Sequence, residues 1–170
     1  FPGMVVLSPA DAVETEKAVM AAAKYEGPVY IRLGRLNIPV LFDDNYKFEI
    51  GKSVTLTEGN DVAIIATGLM VYEAVEAAKL LEKDGIKARV INMSTIKPLD
   101  NEAVLKAAKE CKFIVTTEEH SVIGGLGSAV SEYLSENYPT KVVKHGIYDT
   151  FGQSADGETM LNNYHLRAKD

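Results

Sequence analysis

Three short apolar runs organise the second part of this chain. Residues 62–66 (Val-Ala-Ile-Ile-Ala) lead into Thr67-Gly68, residues 88–91 form a second run, and residues 113–117 lead into Glu118-Glu119-His120 and then Gly124-Gly125-Leu126-Gly127. Between them the apolar positions recur at helical spacing. A helix is predicted over 70–83, with Val71, Ala74, Val75, Ala78 and Leu81 on one face and Gly85 as its stop. Pro98-Leu99-Asp100 opens another with Asp100 as cap, and Gly127-Ser128 opens a third with Val130 and Leu134 inward. Residues 141–144 read as a last strand, followed by a polar loop over 148–157 and a short helix near 160–164. Strands alternating with amphipathic helices imply parallel βαβ units. The expectation for residues 51–170 is a three-layer α/β/α Rossmann-like domain around a mostly parallel sheet.

Residues 1–37 read as a separate βαβ unit. A strand at 4–7 is followed by Ser8-Pro9-Ala10-Asp11, where Ser8 can cap a helix, Pro9 suits its first position and Asp11 reaches back. That helix is predicted to run to about Tyr25, with Val19, Ala22 and Ala23 on one face, before Gly27-Pro28 and a strand over 29–33. One such unit cannot bury both faces of its strands, so it must pack on the rest of the chain or on a partner. Residues 38–50, with Pro39 and the polar run Asp43-Asp44-Asn45-Tyr46-Lys47, read as a linker. A chain that starts Phe1-Pro2-Gly3 rather than with Met reads as a piece of something longer.

Composition narrows the function classes. With 46% hydrophobic and 25% charged residues the chain is an ordinary globular one, and a net charge of −6 argues against nucleic acid as a partner. No apolar run approaches the roughly 18 residues of a membrane helix, so no membrane role is expected. The single cysteine, Cys111, cannot form an internal disulfide and reads as a structural thiol, which fits a cytoplasmic setting.

Few residues carry chemistry. Arg32 and Arg35 fall at the end of a predicted strand and in the loop after it, where a guanidinium can grip a phosphate or carboxylate or else form an interdomain ion pair. The Gly124–Ser128 stretch opens a helix whose free N–H groups attract anions, although close packing is the commoner use of such glycines. Glu118, Glu119 and His120 form a dense titratable group, for which a structural or interface role is favoured over acid–base or metal chemistry. No nucleophile elbow, phosphate-binding loop or paired-cysteine motif is present. On these grounds alone no catalytic or metal-binding residue is assigned.

The motifs themselves resemble those of transketolase, over nearly the whole chain. The first block is Pro2-Gly3-Met4, Ser8-Pro9-Ala10-Asp11-Ala12-Val13-Glu14-Thr15 and Gly27-Pro28-Val29-Tyr30-Ile31-Arg32-Leu33-Gly34-Arg35. It is similar to the closing βαβ of the family's pyrimidine-binding domain. The second block, Gly51-Lys52, Thr67-Gly68, Ile96-Lys97-Pro98-Leu99-Asp100, Glu118-Glu119-His120 and Gly124-Gly125-Leu126-Gly127-Ser128-Ala129, is similar to the family's C-terminal domain. Arg-Leu-Gly-Arg at 32–35 fits transketolase better than deoxyxylulose-5-phosphate synthase, and the 146–152 stretch resembles transketolases encoded as two half-chains.

The resemblance implies a whole enzyme that moves a two-carbon ketol unit between sugar phosphates with thiamine diphosphate and Mg²⁺. It implies an N-terminal partner half or domain and a two-fold dimer. The family's cofactor-binding and catalytic motifs have no match here, so this chain alone is expected to be inactive and to hold no cofactor. Arg35 is the one family ligand that maps onto it, as anchor of the substrate phosphate, with Arg32 a lesser candidate. The alternatives are a deoxyxylulose-5-phosphate synthase piece and a non-catalytic assembly module that binds an anion at the glycine-rich loop.

Overall fold

The computed structural model describes all 170 residues. Its elements are β1 (Val5–Leu7), α1 (Ala12–Ala22), β2 (Val29–Ile31), β3 (Val54–Thr57), β4 (Val62–Ala66), α2 (Met70–Lys83), β5 (Ala88–Asn92), β6 (Thr95–Lys97), α3 (Asn101–Glu110), β7 (Ile114–Ser121), α4 (Leu126–Asn137), β8 (Val142–Ile147) and α5 (Gly157–Asn163). A five-stranded sheet runs β3-β5-β4-β7-β8, parallel except for the edge strand β3. Every residue of β4 and β5 is buried, as expected for strands covered on both faces. On one side Ile65, Ile91 and Ile114 pack with Val104 of α3 and with Val130 and Leu134 of α4. On the other, Ile64 and Val90 pack with Val71, Ala74 and Ala78 of α2. The three-layer α/β/α expectation holds. No helix is long and apolar enough to cross a membrane.

The N-terminal unit packs on the rest of the chain more intimately than its sequence suggests. β1 pairs in parallel with β2, but on its other edge it takes β6 in antiparallel register. β6, whose three residues carry too little pattern to read as a strand, therefore closes the N-terminal sheet from within the second block. At the same junction the Ser8 N–H donates to the Ser94 carbonyl at 2.8 Å. The Gly68 N–H and the Thr67 hydroxyl both donate to the Ser8 carbonyl, at 3.1 and 3.2 Å.

Two corrections concern α1. Its cap is Asp11 rather than Ser8: Asp11 Oδ1 accepts from the Glu14 N–H at 2.7 Å, and the helix starts at Ala12. Ser8 and Ala10 stay outside the helix with their amides engaged elsewhere, Ser8 donating to the Ser94 carbonyl at 2.8 Å and Ala10 to Glu14 Oε2 at 2.7 Å. The inward stripe is Glu14, Ala18 and Ala22, while Val19 is 43% exposed and Ala23 is exposed. Hydrophobic spacing misassigned the face because its innermost member is a carboxylate. The helix also ends at Ala22, three residues short of Tyr25.

Glu14 is fully buried and receives a donor from each of three directions. Besides Ala10, Oε1 accepts from the Tyr46 hydroxyl at 2.6 Å and from Asn92 Nδ2, at the end of β5, at 2.8 Å. Asp11 Oδ2 meanwhile accepts the Leu41 and Phe42 amides at 2.7 and 2.9 Å. Residues 38–50 contain no helix or strand, yet they are strapped down by these bonds, and Phe42 is buried and stacked on Tyr46.

Burial raises the Glu14 carboxyl above its ordinary 4.5, against the lowering effect of its hydrogen bonds, and burial beside Glu14 raises the Tyr46 phenol. With the folded-state value raised, Glu14's contribution to stability is complete below pH 4.5 and is lost as pH rises from there through the raised folded-state value. The stability margin of the wild type over Glu14→Gln should therefore shrink on going from acid to neutral pH in denaturant titrations; a margin that widens would show the carboxyl held ionised. Glu14→Ala, which strands three donors, should cost about 2–4 kcal/mol.

Candidate functional site

The site candidates cluster where β2, β7 and the C-terminal tail meet. β2 ends at Ile31, and the Arg32 N–H continues the ladder to the Leu7 carbonyl at 2.8 Å. The Arg32 side chain crosses to the end of β7, where it donates to the Glu119 carbonyl at 2.5 Å with the Glu119 carboxylate at 3.6 Å. Arg32 is thus engaged in the interdomain pairing that was the plainer of its two readings. Arg35 lies three residues further on, in an exposed loop, and none of the chain's ion pairs engages it. A solvent-facing guanidinium on a loop beyond the end of a parallel strand is placed to meet an anion.

The residues after Arg35 turn back into the protein. Leu36 and Ile38 pack against a small cluster made by Leu69 and Met70 at the start of α2 and by Leu161 and Leu166 of the tail. Gly157, the first residue of α5, sits so close to Leu36 that a Cβ there would lie 2.5 Å from a Leu36 methyl. The tail is fixed in turn by Arg167, which pairs with Glu73 at 2.9 Å and with Glu158. The Ala168 N–H also donates to Glu73, at 2.8 Å.

The glycine-rich loop turns out to be filled from within. Glu118 is 1% exposed, and its two oxygens accept the Leu126 and Gly127 amides at 2.8 and 2.9 Å. A carboxylate satisfies the orphan N–H groups and faces the positive end of α4. The reading of this loop as a site for an external phosphate is corrected here, because the chain's own side chain occupies it. Gly125 is required by the same contact: a Cβ on it would stand 1.9 Å from Glu118 Oε2.

Glu119 faces Arg32, and His120 is exposed, so the three titratable neighbours do not converge on one point. Cys111 is buried, and burial raises its thiol pKa, which fits a structural role. No group of three or more His, Cys, Asp or Glu side chains is arranged to hold a metal ion. Sequence reasoning favours an ion pair for Arg32 and a structural role for the 118–120 group, but it missed Glu119 as the partner of Arg32 and the α4 amides as those of Glu118. An acidic residue a few positions before a glycine-rich helix start was the available signal.

Glu118→Ala, which leaves two buried amides without a partner, should cost about 2–4 kcal/mol in denaturant unfolding. Gly125→Ala should destabilise comparably by displacing the carboxylate. The wild type should show no saturable binding of inorganic phosphate at this loop in a calorimetric titration; saturable binding abolished by Gly125→Ala would restore the loop as an anion site.

Residues 51–170 match the family model of the transketolase C-terminal domain. The chain is 43% identical over 170 residues to an apulose-4-phosphate transketolase subunit of Phocaeicola vulgatus, covering 92% of this chain and 54% of that protein. It is also 43% identical over 170 residues to the 6-deoxy-6-sulfo-D-fructose transketolase subunit SqwH of Clostridium sp., covering 100% and 53%. A 1-deoxy-D-xylulose-5-phosphate synthase from Heliobacterium modesticaldum is 39% identical over 173 residues, covering 100% and 27%. Among solved structures, a split-gene transketolase described as an inactive β4 tetramer superposes with a TM-score of 0.93 at 49% identity, covering 99% of this chain and 55% of that one. The chain thus spans about half the length of the transketolase subunits it matches, and it belongs to the transketolase family, of which it carries the C-terminal portion.

Proposed function

We propose that this chain is the second half of a two-chain transketolase. With an N-terminal partner chain it would transfer a two-carbon ketol unit between sugar phosphates. In this reading residues 1–37 close the pyrimidine-binding domain, 38–50 link, and 51–170 form the C-terminal domain. The observation that carries the proposal is Arg35, exposed and unpaired on a loop beyond β2 in a chain of this family.

Thiamine diphosphate would supply the ketol-transfer chemistry, held with Mg²⁺ by the partner half. This chain's own task is narrower. Arg35 would grip the anionic end of the sugar through charge-assisted hydrogen bonds, orienting it for transfer without taking part in bond making. The names of two relatives support an anion anchor, one carrying a phosphate and the other a sulfo group. The similar tetramer described as inactive supports a chain that self-associates but does not turn over alone, with a two-fold pair as the proposed unit. A cytoplasmic setting, where the unpaired Cys111 would persist as a thiol, completes the reading.

The test is ketol transfer from xylulose 5-phosphate to ribose 5-phosphate with thiamine diphosphate and Mg²⁺, using this chain alone and mixed with its partner half. Activity in the mixture alone is expected. Arg35→Ala in the assembled enzyme should raise KM for phosphorylated sugars by a loss of about 1.5–3 kcal/mol. Unchanged kinetics would remove Arg35 from the site. The resemblance to deoxyxylulose-5-phosphate synthase makes pyruvate as donor the second arm; turnover with pyruvate in place of the ketose phosphate would favour that activity.

A further inference from the structure

The loop that carries Arg35 is short, exposed at Leu33, Gly34 and Arg35, and has no hydrogen-bonded partner of its own. A guanidinium on such a loop loses conformational freedom on every binding event unless the backbone beneath it is already fixed. Both flanks of this loop are fixed, and by the same part of the protein. On the N-terminal side Arg32 is tied to the carbonyl of Glu119, with the Glu119 carboxylate beside it. On the C-terminal side Leu36 and Ile38 are seated against Leu161 and Leu166, with Gly157 leaving room for Leu36. Glu119 is itself immobilised, because the adjacent Glu118 is locked into the start of α4.

We infer that Arg32 and Glu119 are positioning residues for Arg35, and that residues 51–170 act on substrate affinity by framing the loop from both sides. This rests on the reading of Arg35 as the anchor of the substrate's anionic group. Arg32 in this arrangement is not a second ligand: its guanidinium is already spent on β7. Glu119 contributes both its carbonyl, which any residue would keep, and its carboxylate, which holds the guanidinium in that orientation. Leu36 acts from the opposite flank, and a methyl at position 157 would push it, and with it the residue next to Arg35.

Two experiments test this. In the assembled enzyme, Arg32→Met is expected to raise KM for ribose 5-phosphate about five- to twentyfold with kcat within about twofold, and Glu119→Gln and Gly157→Ala less so. With unphosphorylated ribose as acceptor the variants should match the wild type. The double variant Arg32→Met with Glu119→Gln should be no worse than Arg32→Met alone, since the two act through one contact. If Arg32 instead touched the substrate, Glu119→Gln alone would leave KM unchanged or lower it, and if the two residues acted independently the double variant would be worse than Arg32→Met; either result overturns the inference. Arg35→Ala is run beside them. An unchanged KM there overturns the anchor reading and this inference together, whereas a raised KM with Arg32→Met silent overturns this inference alone.

The second experiment needs no partner chain. Backbone amide order parameters over residues 33–37 of this chain, read by NMR relaxation, should fall in Arg32→Met while those of β4 and β5 stay as in the wild type. Order parameters unchanged in the loop would show that the contact does not hold it.

Discussion

The arrangement depends first on one buried carboxylate. Glu14 sits on the inward face of α1 and accepts from Ala10, Tyr46 and Asn92, so a single side chain ties together the N-terminal unit, the irregular strap over 38–50 and the end of β5. A carboxyl group is costly to bury unless its oxygens are matched by donors. Here the match is specific to position: all three donors come from segments whose relative placement it defines. An apolar residue at 14 would pack α1 against many surfaces. A carboxylate with these partners fits one. The neighbouring Asp11 extends the same logic, capping α1 with one oxygen and fastening residues 41 and 42 with the other.

Glu118 does the corresponding work on the far side of the sheet. Helix starts preceded by glycines attract anions from solution, and in many proteins that attraction is the function. In this chain β7 brings its own carboxylate to the amides of α4, so the attraction is turned into a strand–helix joint. The consequence is a redistribution of roles. A feature that looks like a ligand site is architecture, while the one guanidinium left without an internal partner, Arg35, is the group free to meet a ligand.

Much of this fold was legible in the sequence because its signals are local. The fully buried strands β4 and β5, the extent and inner face of α2, the Asp100 cap and the glycine that stops α2 all follow from spacing and composition over a few residues. What escaped was non-local. β6 is three residues long and becomes a strand only because β1 offers it an edge. The buried face of α1 escaped because periodicity scores Glu14 as polar and Val19 as apolar, whereas burial here is decided by hydrogen-bond partners up to 78 positions away. The pairing of Arg32 with Glu119 spans 87 positions and leaves no mark that a single sequence can show. Arg32 and Arg35 are chemically alike and three residues apart, and only the fold separates them.

On the proposed reading of Arg35 as a substrate anchor, that separation bears on what residues 51–170 add to the N-terminal unit. A phosphate-binding arginine on a free loop would bind weakly, because ordering the loop would draw on the same free energy that holds the ligand. Anchoring the loop within the N-terminal unit alone is not available: β1 and β2 are three residues each, and the sheet they begin is completed by β6 from the second block. The loop therefore gains its rigidity from β7 on one flank and from α5 on the other, both seated in the larger core of residues 51–170. On the proposed reading, the C-terminal domain would act on substrate affinity through the stiffness it lends to a loop it does not itself contain.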